Sequence, residues 1–462
     1  MSAEPTRTDV VDITQRLRAD KRAKMPHTDA GNAQRLVDDH GAELRFAPGR
    51  DWHVWNGQCW RPDDHGELLR RAMQSTRTMR EEAAALGKDG DALWKHANRS
   101  EQRPRLEAMV TLAAVDERMV TPIDALDADP FVLNVANGTL DLRTGERHPH
   151  DPARLLTKLA PVAHDPAAEC PRWLAFQEQV TGADSELIAY KQRFYGYCLT
   201  GDTSEQVLAL LHGAGANGKS TELETIRALL GDYAAVTDAQ TFTANRGQGI
   251  PNDLARLPGA RLVIASEVAE GARLDDVLVK RITGQDTIAA RLMYREWFEF
   301  RPTFKVAIAV NHLPSIARGG EAIRRRLQIV PFPATIPAAE RDPRLGGRLR
   351  DELPGILNWC LAGCAEWQTR GLGTDAAIDA ATGEYFTDPL AGFLRDRCTQ
   401  HPGHSTLSGE LWDAYQSWLG EHDDARALSR QGFNDRLTAV GCVAGRSHAG
   451  RYWDGIGLRE LS

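Results

Sequence analysis

The segment Gly213-Ala-Gly-Ala-Asn-Gly218-Lys219-Ser220 places glycine, lysine and a hydroxyl in the spacing G-x-x-x-x-G-K-S, with Thr221 following. Glycines at such positions let the backbone curl so that successive N–H groups face the oxygens of a polyphosphate. Gly213, Gly215, Asn217 and Gly218 would form the cradle, Lys219 would reach the β and γ phosphates, and the Ser220 hydroxyl would complete a magnesium shell. The expected ligands are therefore ATP and Mg2+, with Thr221 in the first turn of the helix that the anion would cap.

Hydrolysis needs an acid near the γ phosphate to polarise water and support the metal. The apolar run Arg261-Leu-Val-Ile-Ala-Ser-Glu267 offers one at its end, with Glu270 as the competing candidate. A third apolar run ends in Asn311-His312-Leu313-Pro314. The Asn311 amide can bond the γ phosphate or the attacking water; considered alone it reads as a turn former, and beside the other two motifs as a phosphate sensor. Arg324-Arg325-Arg326 follows. It is either a solvated helix end or a source of an arginine inserted beside a neighbour's ATP, where Arg325 or Arg326 would stabilise transition-state charge.

Ten basic residues and four acids fall within 280–330, in a chain of net charge -8. Lys280, Arg281, Arg291 and Arg295 alternate there with Tyr294 and Trp297. Cations for phosphates beside flat faces for base stacking suit single-stranded DNA, against the plainer reading of a charged hairpin rim.

Positioning such groups requires strands that end along one edge. From Val207 onward, VLALLHG, RLVIASE, FKVAIAVN and RRLQIVPF alternate with helical stretches such as STELETIRALLG, the pattern of a parallel α/β sheet. Upstream, the spacing predicts a helix over 33–47, a hairpin at Asn56-Gly57, helices over 67–86 and 91–115, and a strand meander around Asn137-Gly138 and Thr144-Gly145. The arginines of 67–86 fit a solvated helix face better than a nucleic-acid surface. Downstream, three helices followed by strands close the chain.

The expected organisation is multidomain α/β: a flexible arm (1–30), an N-terminal α+β region (31–150), a helical collar (151–205), an ATPase core (206–335), a helical extension (336–388) and a winged-helix-like domain (389–462). In the last, Gln431, Asn434 and Arg436 would face a groove, with Arg446, His448 and Arg451 on the wing. Protein docking is the competing use of that domain.

Composition sets bounds. The 462 residues are 42% hydrophobic and 26% charged, which fits neither wholesale disorder nor a fibrous repeat. Fifty-six basic against 64 acidic residues argue against a histone-like basic coat. Seven scattered cysteines without a C-x-x-C pair read as reduced thiols, and Cys360 and Cys364 as core. No run suits a membrane span or signal peptide, so a cytoplasmic protein, without a membrane partner, is expected in a bacterial host.

Together, GYCLTGDTSEQVLALLHGAGANGKST, ARLVIASE, KRITGQDTIAARLMYREWFEFRPTFKVAIAVNHLP, AIRRRLQIVPF and LPGILNWCLAG resemble the helicase half of phage and plasmid primase-helicases, a poxvirus-like group of superfamily 3. The resemblance covers about 130–370. It implies an AAA+ type P-loop ATPase in a homo-hexameric ring that translocates on single-stranded or forked DNA. It assigns Gly213 to Ser220 as Walker A, Glu267 as Walker B, Asn311 as sensor, Arg325 or Arg326 as finger, and the tip near Tyr294 to Trp297 as a pore hairpin. Ser266 stands where many such proteins have aspartate. Only about 130 residues precede this region, too few for the upstream primase domain of longer relatives. A separate primase or initiator is therefore the expected partner. A duplex translocase or loader, or an ATP-regulated origin-binding initiator, is the alternative function.

Overall fold

The computed structural model describes residues 19–244, 254–266, 272–291, 297–316, 321–387, 389–420, 428–448 and 450–459. The chain divides into two compact units, one made of residues up to Asp129 with His148–Leu159, the other of Pro130–Arg147 with the remainder.

In the first unit, Thr28 caps a helix over Asp29–His40 by accepting from the Gly31 N–H. The helix ends earlier than its apolar pattern suggests. Leu44–Ala47 is instead a strand, paired antiparallel with Asp51–Trp55, because its alternating Leu44 and Phe46 serve a sheet face. Asp51–Trp55 pairs onward with Trp60–Pro62 around the expected Asn56-Gly57 turn, where Gly57 adopts φ +94°. Glu67–Leu86 is helical as read, whereas 91–115 is two helices, Asp91–Ser100 and Arg103–Ala113. Pro104 lacks the N–H an unbroken helix would need and starts the second one instead. Arg70, Arg71 and Arg80 pair with Glu67, Glu43 and Glu101, as a solvated face would.

The second unit is built on five parallel strands. In spatial order they are Leu327–Pro331, Leu208–His212, Lys305–Val310, Leu262–Ser266 and Ala234–Asp238. Successive residues of each inner strand join different cores. Ala209, Leu211, Ile264, Ala307 and Ala309 pack with the helices Pro171–Thr181, Ser185–Cys198, Lys219–Leu230 and Leu353–Arg370. Leu208, Leu210, Val263, Val306 and Ile308 pack on the opposite side, with the helix Asp276–Thr283. Burial on both faces explains why these strands read as continuous apolar runs. The edge strand Ala234–Asp238 has no such run and escapes sequence reading, and its Val236 is 61% exposed. On the other edge, Thr382 of the helix Ala376–Thr387 accepts from the Ile329 N–H, covering that strand.

The expected three helices after 389 are Pro389–Arg397, Ser408–Gly420 and Arg430–Ala439. The strands do not simply follow them. Cys398–Leu407 forms a strand between the first two helices and joins Gly450–Leu458, which pairs with Val443–Ser447. Pro402 and Gly403 hide that strand in the sequence, because they sit in an interruption of register between Gln400 and Ser405. All seven cysteines are buried and unpaired to one another. No helix among the described residues is long and apolar enough to cross a membrane.

Candidate functional site

Parallel pairing brings the carboxyl ends of three strands to one edge. His212 stands opposite Val310 in register, so the loop after Leu208–His212 and the turn after Lys305–Val310 emerge side by side. Ligands of open α/β sheets bind at such an edge. Between them the P-loop turns through Gly215, Ala216 and Gly218, at φ +48°, +52° and +89°.

Two glycines are required by packing, and Gly218 by torsion as well. A Cβ on Gly213 would lie 2.2 Å from Asn217 Nδ2 and 2.5 Å from the Phe332 carbonyl oxygen. One on Gly218 would lie 2.6 Å from Val180 Cγ1, on the helix Pro171–Thr181. The loop is further pinned by the Asn217 side chain, which donates to Phe332 O at 3.4 Å, and by the Ile336 N–H, which donates to Ala216 O at 3.0 Å.

Lys219 begins the helix Lys219–Leu230 and is buried. Its ammonium donates to Gly213 O at 2.5 Å, Asn217 Oδ1 at 3.0 Å and Asn311 Oδ1 at 3.2 Å. Burial lowers its pKa, and no carboxylate is among these acceptors. Such a cation is poised to exchange carbonyl partners for phosphate oxygens. Ser220 is exposed and Thr221 half-buried at the helix start, where the peptide dipole favours an anion. His212 is pushed below its ordinary range by burial first and by the Lys219 charge second.

The remaining sequence candidates divide. Ser266 is exposed at the end of its strand, but Glu267 and Glu270 lie outside the described residues. The structure brings Asn311 to Lys219. Arg325 is exposed, whereas Arg326 is buried, donating to Ala322 O at 2.6 Å and to Gln206 Oε1 at 3.3 Å. Ile288–Arg291 and Trp297–Phe300 form an antiparallel hairpin with Arg291 opposite Trp297. Tyr294 and Arg295 lie outside the described residues, as does the Trp297 side chain. Arg281 is exposed on the helix Asp276–Thr283, and Lys280 lies 3.7 Å from Asp276.

Sequence reading missed a buried group behind the P-loop. Glu222 accepts from Lys191, Gln177 and Tyr195, all on the two helices that precede the sheet. The available signal was a charge on each of two otherwise apolar helix faces. Among the described residues no cluster of three or more His, Cys, Asp or Glu side chains suits a metal ion.

Residues 33–182 match the family model described as D5 N terminal like, and 211–326 match a family of unknown function, DUF5906. Over 212 residues the chain is 30% identical to "Putative helicase L207/L206" of Acanthamoeba polyphaga mimivirus. The chain is thus similar to viral proteins named putative helicases. A similarly named protein of Frog virus 3 (isolate Goorha), 022R, is 30% identical over 254 residues. These matches cover 45% and 50% of this chain but only 22% and 26% of the viral proteins, so the chain spans about a quarter of the curated relatives it matches. Among solved structures, the apo NrS-1 C terminal region aligns with a TM-score of 0.49 at 12% identity, over 92% of this chain and 98% of that one. The resemblance read from the sequence motifs is borne out by the D5 N terminal like match and the viral putative helicases.

Proposed function

We propose that this chain is an ATP- and Mg2+-dependent DNA helicase serving replication of a phage, plasmid or integrated mobile element in a bacterial cytoplasm. The observation that carries this reading is the convergence of the P-loop lysine and the Asn311 amide at the carboxyl edge of a parallel sheet. The names of the viral relatives support the step from nucleotide hydrolysis to strand separation.

In this reading Lys219 and the loop N–H groups hold the phosphates. Ser220 and Glu267 support the metal, which supplies Lewis-acid charge neutralisation when bound. Glu267 orients the attacking water, and Asn311 senses the γ phosphate. Exposure suits Arg325 rather than Arg326 to act in trans on a neighbour's nucleotide, in an AAA+ type homo-hexamer. The hairpin bearing Arg291 and Trp297, with Lys280 and Arg281 nearby in sequence, would grip one DNA strand.

The decisive experiment is displacement of a forked duplex by purified protein with ATP and Mg2+. Lys219→Ala should abolish both hydrolysis and displacement, while Glu267→Gln should bind nucleotide without turnover. Normal strand separation by Lys219→Ala overturns the helicase reading. Hydrolysis without displacement by the wild type favours a duplex translocase or loader.

A second reading, an ATP-regulated initiator that recognises duplex DNA, is favoured by the C-terminal element order. Helix, strand, two helices and a two-stranded hairpin are the parts of a winged helix. Exposed Arg446 and Arg451 stand directly opposite one another in that hairpin. Like charges so placed repel, and a phosphate backbone would relieve the repulsion.

A further inference from the structure

Glu222 lies one helical turn after Lys219, and its side chain is fully buried. Its Oε2 accepts from Lys191 Nζ at 2.7 Å and from Gln177 Nε2 at 3.2 Å, while Oε1 accepts from Tyr195 Oη at 2.7 Å. The Lys191 ammonium, 2% exposed, also lies 4.3 Å from the centre of the Phe332 ring. The Phe332 carbonyl is the acceptor for Asn217. The ion pair therefore meets the P-loop twice, through the helix from Glu222 back to Lys219 and through Phe332 to Asn217.

Stability does not account for this arrangement. Removing two charges from water costs several kcal/mol per ion, and apolar residues of similar volume are often as stable in their place. What the carboxylate supplies is direction. Donors from two separate helices converge on its two oxygens and set the rotation of the helix Lys219–Leu230 about its axis, which an apolar contact would leave free to slip. Rotation matters here because Lys219, Ser220 and the first N–H groups face a ligand only at one setting. Val180 and Phe176 of the helix that carries Gln177 also stand against the Gly218 position.

We propose that Lys191 and Glu222 are positioning residues for nucleotide phosphates, holding the P-loop helix at the rotation in which Lys219 and Ser220 face the ligand. This rests on the nucleotide reading of the P-loop. The pair touches no phosphate itself, so its loss changes how well the ligand is held and leaves the identity of the reacting groups unchanged.

The test compares wild type, Lys219→Ala, the double variant Lys191→Met with Glu222→Leu, and Tyr195→Phe, all in the full chain. Calorimetric titration with Mg-ATP is run below the unfolding temperature of each protein, with steady-state hydrolysis beside it. The double variant conserves volume but deprives the Gln177 and Tyr195 donors of their acceptor, so it should unfold cooperatively at a lower temperature than the wild type. Its Kd and KM for ATP should rise about 10- to 100-fold, the scale of one lost hydrogen bond to a charged phosphate. At saturating ATP, kcat should fall by no more than about 100-fold, against complete loss in Lys219→Ala, because the reacting groups are misplaced but still present. Tyr195→Phe removes one hydrogen bond and should weaken binding by about two- to tenfold. A folded double variant that binds ATP like the wild type overturns the inference. If the double variant does not fold, an unchanged Kd for Tyr195→Phe overturns it instead. Wild-type protein that binds no ATP overturns the nucleotide reading and the inference with it, so the two failures are read from different proteins.

Discussion

The Lys219 ammonium lies 3.2 Å from Asn311 Oδ1, joining the first residue of the P-loop helix to a residue 92 positions later, just past the end of the strand Lys305–Val310. On the proposed function, γ phosphate would displace this amide oxygen and leave Asn311 to bond the phosphate or water. Asn311→Ala should lower kcat by about 10²-fold or more while changing ATP affinity little, the scale of losing one preorganised polar group. Single-turnover hydrolysis with a binding titration checks it, and equal loss in both would remove Asn311 from the chemistry.

Arg325 and Arg326 should separate in their effects. Doping wild-type protein with Arg325→Ala subunits should depress hydrolysis more than dilution, because each defective subunit disables a neighbour's site. Arg326→Ala should instead destabilise its own subunit by about 1 kcal/mol, through loss of the bonds to Ala322 and Gln206. A strictly proportional loss for Arg325→Ala would refute action in trans.

Gly218→Ala should damage both fold and nucleotide binding. The position has φ +89°, and the added methyl would enter the space of Val180 and Phe176. A stability loss of more than about 1 kcal/mol in chemical denaturation is expected.

Lys305 predicts a pH dependence of stability. It is buried, donates to Thr200 O at 2.5 Å and Asp202 O at 3.1 Å, and burial lowers its pKa to about 7. Between about pH 7 and its ordinary range the unfolded chain holds the proton and the native state does not, so this residue makes stability rise with pH there, by at most about 1.4 kcal/mol per pH unit. Below that window the cost of the buried charge is fully present. Unfolding at a series of pH values should show the wild-type stability rising relative to Lys305→Met, and parallel curves would contradict the prediction.

The hairpin of Val443–Ser447 with Gly450–Leu458 gives a fifth test. Replacing Arg446 and Arg451 by alanine should weaken duplex DNA binding roughly equally across sequences and reduce the salt dependence by about one ion per lost phosphate contact. An unchanged salt slope would assign that face to something other than DNA.

The sequence by itself determined the elements whose signal is local. The P-loop is legible because G-x-x-x-x-G-K-S is a backbone requirement written in neighbouring residues, and the inner strands are legible because burial on both faces demands unbroken apolar runs. Tertiary structure alone decided the rest. It inserted Ala234–Asp238 as an edge strand with one exposed side, and it folded Cys398–Leu407 around a bulge holding Pro402 and Gly403. It turned Arg326 inward while leaving Arg325 outside, though the two are adjacent and chemically identical. It also joined Glu222 to Lys191, 31 residues earlier, across a helix packing that no local pattern encodes. Periodicity reports which face of an element is buried, but the partner of a buried charge is set by which other face arrives there.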